Sequence, residues 1–344
     1  MHAVLLRPGG ISLTELPTPE APPGGLTVAL RACGICGTDL EKIRGNYSAT
    51  GRIGHEPAGV VRSVADGLGA FRPGDRVFVH HHVPCLSCAV CRAGAPTFCP
   101  DFQRTNIDPG GFSEVFSVSS THVARGAVLP LPPEVSDEEA TFIEPMGCCL
   151  EALATVGPVS GRRVLLLGLG PIGQIYLRLL RAFGASWVGA ADISAYRRDR
   201  AGGADGADDL LDPRDPERME RTVLERTAGV GPDLVVVATG APAAITEATR
   251  VVRRGGTVNL FGLPERGRPF ETDPQELYLR GVRLVPTYAT TEVGTNRALE
   301  LLAAKRVRVA DLVTHRFPLE EAERAFAQAA LPQGTLKVVM TSGA

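Results

Sequence analysis

A glycine-rich turn near the middle of the chain constrains the fold more than any other feature. It has the pattern G-x-G-x-x-G over residues 168–173 and follows residues 164–167, an apolar run typical of a buried strand. Apolar residues at 172, 175, 176, 179, 180 and 183 then repeat with helical spacing. This succession predicts a dinucleotide site, because glycines let the backbone approach a pyrophosphate at the helix N-terminus. The expected contacts with the cofactor are Gly168, Gly170, Pro171, Ile172 and Gly173.

An acidic residue follows the turn at about the twenty-residue distance that such sites use. Residues 187–191 have the pattern of the next strand, which ends at Asp192. A carboxylate there accepts hydrogen bonds from the adenosine ribose and repels the additional phosphate of NADP. Arg197 and Arg198 lie just downstream and are able to contact phosphate, although they equally fit a solvated helix face. The sequence therefore predicts NAD, with Asp192 and Arg197 among its contacts.

Strand-like apolar runs alternate with helical segments throughout this region. Residues 233–237 and 257–261 are two such runs, and glycine lies just beyond each. The alternation predicts an α/β domain with a doubly wound parallel sheet over about residues 147–287. Because such sheets bind ligands at the carboxyl ends of their strands, the following loops add candidate cofactor contacts at Thr239, Gly240, Phe261, Gly262 and Leu263.

Length and composition limit the remaining possibilities. With 344 residues the chain is longer than one hydrophobic core usually serves, so two domains are expected. A formal net charge of −2 gives no electrostatic reason to expect nucleic acid or a membrane as a partner. The sequence has neither an apolar run of about twenty residues nor an N-terminal signal segment. We expect a cytoplasmic protein, in which eight cysteines indicate metal or catalysis before disulfides.

Four of these cysteines are concentrated in the first part of the chain. Short strand-like runs and glycine or proline turns predict a β-rich, barrel-like domain there, up to about residue 140. Four thiolates complete a tetrahedral shell with no open position, which is how structural zinc is held. Unrelated buried thiols are a poor alternative, because core cysteines have no reason to repeat at such a spacing. The predicted zinc ligands are Cys85, Cys88, Cys91 and Cys99.

Short motifs extend this pattern from one end of the chain to the other. They read GICGTD at 34–39, GHE at 54–56, DPGGFSE at 108–114, EP at 144–145 and THRFPLEEA at 314–322. With the cysteine lobe and the dinucleotide turn, they resemble the zinc-dependent medium-chain dehydrogenases, in particular the polyol (sorbitol) and threonine dehydrogenase branch. The resemblance implies a GroES-like catalytic domain at 1–146 with its zinc lobe at about 84–100, a Rossmann NAD-binding domain at 147–287, and a return to the catalytic domain at 288–344.

The resemblance also implies a catalytic zinc. It assigns Cys36 and His55 as ligands, and it places Glu144 where alcohol dehydrogenase relatives have a third cysteine. Glu56 either ligates the metal or lies just behind it. A shell of cysteine, histidine and carboxylate leaves a coordination position for water or substrate. Cys33 is expected to be a small buried residue, because the family uses only the second cysteine of this pair.

Two further residues enter through the resemblance. Thr38 matches a hydroxyl that relays the substrate proton, while Glu41 replaces the histidine that continues the relay in many relatives. His82 matches an active-site histidine of threonine dehydrogenases, and a solvated histidine run at 80–82 is the alternative. Alternation along an extended chain would place His80 and His82 on one side and His81 on the other.

The predicted function is hydride transfer between NAD and a secondary alcohol of a polyol, sugar or cyclitol, with two zinc ions per chain. An amino-alcohol such as L-threonine is the second candidate substrate, and a non-enzymatic regulator that binds zinc and nucleotide is a third interpretation. The family commonly extends its cofactor-domain sheet across a two-fold axis, here through the strand at 256–260. Bacterial polyol and threonine dehydrogenases are often tetramers, so the resemblance implies a homotetramer, or else a dimer, with a small-molecule alcohol as the substrate.

Overall fold

The structure, a computed structural model, describes residues 1–46, 51–203, 206–264 and 266–342. It divides into two compact units. The first contains Met1–Cys148, Ala289–Leu331 and Lys337–Ala344, and the second contains Cys149–Tyr288 and Pro332–Leu336. Within the described ranges no helix combines the length and the apolar character that a membrane span requires.

Strands and helices are numbered in chain order. The strands are β1 His2–Arg7, β2 Gly10–Glu15, β3 Leu26–Gly34, β4 Pro57–Val64, β5 Arg76–Val79, β6 Val115–Val118, β7 Val128–Pro130, β8 Arg163–Leu167, β9 Trp187–Ala191, β10 Asp209–Leu211, β11 Leu234–Val237, β12 Thr257–Leu260, β13 Arg283–Pro286, β14 Val313–Pro318 and β15 Lys337–Thr341. The α-helices are α1 Gly37–Ile43, α2 Ala89–Arg92, α3 Pro100–Arg104, α4 Ser120–Ala124, α5 Asp137–Ala140, α6 Ile143–Val156, α7 Pro171–Ala182, α8 Ala195–Arg200, α9 Pro216–Arg226, α10 Pro242–Val251, α11 Pro274–Arg280, α12 Glu292–Ala303 and α13 Ala322–Ala329.

The first unit is built around a mostly antiparallel sheet, in which β14 and β15 form the parallel pair. Its strand order is β14-β15-β3-β4-β5-β7, with β6 also pairing with β3, while β1 and β2 form a separate hairpin. Apolar side chains such as Val28, Val61, Phe116 and Val338 meet in its core. The predicted β-rich first domain is confirmed. The last strand, β15, pairs antiparallel with the end of β3, so the chain returns to this sheet.

The second unit contains a six-stranded parallel sheet in the order β10-β9-β8-β11-β12-β13. Its inner strands β8, β9 and β11 are almost fully buried apolar runs, and helices connect most of the strands, which is the pattern of a sheet covered on both faces. The strand order reverses between β8 and β11, the position at which such sheets bind ligands. The predicted doubly wound α/β fold is confirmed.

The edge of this sheet differs from the prediction. The strand expected to extend the sheet across a two-fold axis, at 256–260, corresponds to β12, which pairs with β11 on one side and β13 on the other. A strand with both neighbours in place cannot pair with a second copy. That detail of the prediction is therefore wrong, and β13 is the strand at this edge of the sheet.

Candidate active site

The glycine-rich turn connects β8 to α7 with little room for side chains. Gly168 has a positive φ of 97°, and a Cβ added at Gly173 would lie only 2.0 Å from the Gly168 carbonyl oxygen. Gly170 precedes α7, whose first two residues are Pro171 and Ile172. The turn therefore has the tight geometry that exposes backbone amides at a helix N-terminus, as dinucleotide binding requires.

Asp192 follows β9 and is bonded to the turn. Its Oδ2 accepts a hydrogen bond from the Leu169 amide at 2.7 Å, and its Oδ1 accepts one from the Ser194 amide at 2.8 Å. Arg197 Nη1 lies 4.0 Å from the same carboxylate, while Arg198 donates to the Asp192 carbonyl oxygen at 2.6 Å. The structure thus brings Asp192 and Arg197 to the glycine-rich turn.

The other predicted cofactor residues lie at the same edge of the sheet. Thr239 and Gly240 follow β11, and Phe261, Gly262 and Leu263 follow β12. A Cβ added at Gly262 would lie 2.2 Å from the Thr239 carbonyl carbon, and one added at Gly240 would lie 2.2 Å from the Leu263 carbonyl oxygen. Both loops therefore need glycine to approach each other this closely.

The four cysteines of the lobe converge as a single cluster. The sulfurs of Cys85, Cys88, Cys91 and Cys99 all lie within 4.8 Å of one another. The Cys85–Cys99 and Cys88–Cys99 sulfur distances are 3.5 and 3.8 Å, and a tetrahedral zinc with bonds of about 2.3 Å would separate its sulfurs by about 3.8 Å. Hydrogen bonds from Ser87 lower the pKa of Cys85 to about 6, which favours the thiolate. The donor set fits a closed structural zinc site.

A second donor set forms where β3, β4 and α1 meet. Cys36 immediately precedes α1, and His55 and Glu56 immediately precede β4. The Cys36 sulfur, a His55 ring nitrogen and a Glu56 carboxylate oxygen lie within 4.8 Å of one another. Gly54 lets the segment before β4 pass close to Phe112, since an added Cβ would lie 2.6 Å from the Phe112 amide nitrogen. Thiolate, imidazole and carboxylate are the ligand types of catalytic zinc, so this set also fits the metal.

Asp39 holds this second donor set in position. It is fully buried; its Oδ2 accepts from the Cys36 amide at 3.1 Å, and its Oδ1 accepts from the Gly54 amide at 3.2 Å. The same Oδ1 lies 3.2 Å from His55 Nδ1, which leaves His55 Nε2 for a metal. Burial lowers the pKa of His55, but Asp39 and the Cys36 thiolate together raise it above its usual range.

Glu56 forms a buried ion pair with Lys337. The lysine amine donates to Glu56 Oε2, and the two side chains are 2% and 0% exposed. The other oxygen, Oε1, is buried and has no hydrogen-bond partner among the described residues, so it is the oxygen left to face a metal. A Cβ added at Gly34 would lie 2.0 Å from Glu56 Oε2, so glycine is required there.

Glu144 lies in the first turn of α6 and is buried. Its Oε1 accepts a hydrogen bond from the Cys148 thiol, one turn later, at 3.3 Å. Burial raises the pKa of the carboxyl group, while the charge of His55 acts to lower it. Among the described residues, the compact donor set contains Glu56 and not Glu144, so Glu144 remains a predicted ligand.

The proposed proton-relay positions both lie in α1. Thr38 is the second residue of this helix and is half-buried, two residues after Cys36. Glu41 forms an ion pair with Arg44 at 2.6 Å and accepts from Asn46 Nδ2 at 2.8 Å. The Glu41 carboxylate is thus held in place by these two neighbours.

The histidine run follows β5, and the expected alternation of its side chains is not observed, because the chain bends at residue 81. His80 and His82 both contact Phe102, with ring centroids at 6.2 and 5.2 Å, and His82 Nδ1 bonds the Thr105 carbonyl oxygen. The His81 ring lies between those of His82 and His55, with centroid distances of 3.9 and 5.1 Å. The place of His82 in the substrate site stays a prediction, and it is His81 that lies beside the His55 ring.

Sequence reasoning assigned no role to Asp39 or Lys337. Asp39 is the last residue of the motif GICGTD at 34–39. Its spacing of three residues from Cys36 is the signal that was missed. Lys337 is one of only three lysines, and it opens an otherwise apolar strand. A charged residue in such a strand indicates a buried partner, because an unpaired charge there would be costly.

Comparisons with known proteins show the family of this chain. Residues 22–131 match the model of the alcohol dehydrogenase GroES-like domain, and residues 171–304 match that of the zinc-binding dehydrogenase. Sorbitol dehydrogenase of Homo sapiens is 32% identical over 348 residues, which cover 95% of this chain and 91% of that protein. The L-threonine 3-dehydrogenase of Symbiobacterium thermophilum is 32% identical, with 92% and 90% covered. A crystal structure of a zinc-binding dehydrogenase from Sinorhizobium meliloti, bound to NADP, has a TM-score of 0.89 at 28% identity, covering 99% of this chain and 98% of that one. The chain therefore belongs to the zinc-dependent medium-chain alcohol dehydrogenases, and it is an oxidoreductase.

Proposed function

We propose that this protein transfers a hydride between NAD and a secondary alcohol of a polyol, sugar or cyclitol. The observation that carries the proposal is the convergence of Cys36, His55 and Glu56 within 4.8 Å, in a chain that also has an intact dinucleotide turn. A purely structural metal site would need no cofactor turn, and a zinc-free reductase would need no such donor set. The similarity to sorbitol dehydrogenase supports a polyol as the substrate.

Two zinc ions per chain are proposed, since the two donor sets lie in separate segments and neither can serve the other. Zinc at the catalytic set would supply a positive charge that favours loss of the substrate hydroxyl proton. Cys36, His55 and a carboxylate, Glu56 or Glu144, would hold it. Asp39 fixes the His55 ring, which keeps one nitrogen available to the metal.

The hydroxyl of Thr38 is the proposed first acceptor of the substrate proton. A threonine hydroxyl can accept one hydrogen bond while donating another, so it can pass a proton outward without changing its own charge. Glu41, which replaces the usual second relay group, is already bonded to Arg44 and Asn46. We propose that the proton leaves Thr38 by another route, with solvent as its acceptor.

NAD is the proposed cofactor. Asp192 lies beside the turn with both carboxylate oxygens fixed by backbone amides, so its negative charge stays where the ribose would bind. A 2′-phosphate would meet that charge directly. The NADP-bound relative and the nearby Arg197 are the arguments for NADP, but an arginine close to Asp192 does not remove the carboxylate.

L-threonine is the second candidate substrate. The threonine dehydrogenase relative and the histidine run at 80–82 favour it, because His82 occupies the position of an active-site histidine in that branch.

A homotetramer, with a dimer as the alternative, is the proposed assembly, and β13 is the strand available to pair with a second copy. Cytoplasmic location is proposed from the eight cysteines, all of them described and none in a disulfide.

The test is NADH formation at alkaline pH with sorbitol, xylitol, myo-inositol, an aldose and L-threonine. We expect turnover with at least one polyol, and we expect Cys36→Ser to abolish it. Faster turnover of L-threonine than of every polyol would replace the proposed substrate class. If zinc and NAD bound but no alcohol were oxidised, a regulatory protein would be the better conclusion.

A further inference from the structure

His81 is a buried imidazole beside the donor set, and its Nδ1 is unpartnered within the part of the chain that the structure describes. Its side chain is 8% exposed, and its Nδ1 is buried without a hydrogen bond to any described residue. Its ring centroid lies 5.1 Å from that of His55. Buried polar groups are nearly always hydrogen-bonded in native proteins, so an unpartnered imidazole at this place indicates a ligand that completes it.

The acidic side chains in and around the donor set already have hydrogen-bond or ion-pair partners. Asp39 accepts from two backbone amides and contacts His55, Glu56 is paired with Lys337, and Glu144 accepts from Cys148. His82 differs from His81 because its Nδ1 bonds the Thr105 carbonyl oxygen. His81 is therefore the imidazole of the run that remains available next to His55.

We propose that His81 binds a second hydroxyl of the substrate, on the carbon next to the one that is oxidised. This inference rests on the proposed function and assigns a residue to the neighbouring hydroxyl of its polyol, sugar or cyclitol substrate. The reacting hydroxyl must lie beside His55, so a group one carbon farther along can reach a ring that contacts His55. Neutral imidazole offers one donor and one acceptor, which matches what a hydroxyl requires.

The test compares 2,3-butanediol with 2-butanol, which share a carbon skeleton and differ by one hydroxyl. We expect the parent enzyme to prefer the diol in kcat/KM. His81→Leu should lower kcat/KM for the diol by about 10- to 100-fold, because a buried hydroxyl then loses its partner. The value for 2-butanol should change by less than about threefold. His81→Gln, which keeps a polar amide near the same place, should restore part of the preference.

His80→Leu is the matched control. It removes the neighbouring imidazole, which is fully buried, contacts Phe102 and touches the His81 ring edge-on at a centroid distance of 5.5 Å, but has no ring contact with His55 among the described residues. We expect the ratio of the two kcat/KM values to stay at the parent value in this variant, even if stability falls. Zinc content, measured on every variant, separates a lost metal ligand from a lost substrate contact.

A second readout does not depend on turnover. Calorimetric titration of 2,3-butanediol into zinc-loaded protein without nicotinamide cofactor should show a similar fold loss of affinity in His81→Leu. Equal effects of this substitution on both alcohols, loss of zinc, or a higher efficiency with L-threonine than with the diol would each overturn the proposal. If the parent oxidised no alcohol, the proposed function would fail, and unchanged diol affinity in His81→Leu would still decide against His81.

Discussion

Replacing Lys337 by methionine should destabilise the first unit severely. Methionine keeps most of the length of the side chain but removes the charge, so Glu56 would remain buried without its partner. Both side chains are essentially inaccessible, at 2% and 0% exposure, so water cannot compensate. Breaking a buried pair by removal of one partner costs about 3–5 kcal/mol. We expect a loss of that size in the free energy of unfolding.

A surface ion pair provides the comparison for this loss of stability. Arg316 and Glu138 form a bidentate pair in the same unit, with N–O distances of 2.5 and 2.7 Å, but their side chains are 52% and 32% exposed. Arg316→Met should therefore cost at most about 1 kcal/mol. Adding Glu56→Gln to the Lys337 variant should recover at least about 2 kcal/mol, because the stranded charge is then removed.

Urea unfolding followed by circular dichroism measures these changes. The only tryptophan, Trp187, lies in β9 of the second unit, so its fluorescence provides a separate transition for that unit. A loss below about 1 kcal/mol in the Lys337 variant, equal to that of the Arg316 variant, would refute the reasoning. It would mean that water reaches the pair or that Glu56 takes up a proton at no cost.

Three further predictions address the metals, the cofactor and the assembly. Elemental analysis should give two zinc ions per chain, and Cys36→Ser should remove one of them and all turnover with the fold retained, whereas Cys88→Ser should chiefly reduce solubility or assembly; identical behaviour of both variants would contradict separate sites. NAD should exceed NADP in kcat/KM by at least about 10-fold, or about 1.4 kcal/mol, and Asp192→Ala should narrow that ratio mainly by weakening NAD; a ratio unchanged by the substitution would show that Asp192 does not face the ribose. Light scattering at micromolar concentration should give a tetramer or a dimer, and a monomer would count against β13 as a pairing edge.

The local parts of the candidate site could be predicted from the sequence. Both local motifs are short: the glycine-rich turn spans residues 168–173, and the four-cysteine lobe spans residues 85–99. Their spacing alone therefore determines which atoms can meet. The position of Asp192 could be predicted as well, because this residue ends the next strand after the turn. Each of these predictions needed only the geometry of one strand, one turn or one short loop.

The contacts between distant segments could not be predicted in the same way. Glu56 and Lys337 are separated by 281 residues, and only the pairing of β15 with β3 brings them together. The edge strand β13 was missed because it begins with arginine, ends at a proline and is only partly buried, so it lacks the apolar pattern of β11 and β12, which have the same length. At the histidine run, alternation predicted that His81 would lie apart from its neighbours, but the chain bends at residue 81 and the His81 ring lies 3.9 Å from that of His82. The contact of His81 with His55 depends on tertiary structure and could not be predicted from the sequence.

The late position of β15 in the chain has a consequence for biosynthesis. Met340 pairs with Cys33, so the strand that completes the sheet of the first unit leaves the ribosome after every strand of the second unit. Until then Glu56 has no cation to balance its charge, and the strand β3 lacks one neighbour beside the donor set. The second unit can fold during synthesis, whereas the catalytic donor set reaches its final form only once translation has passed Lys337. A ribosome stalled before that codon would carry a folded cofactor domain attached to an unfinished metal site.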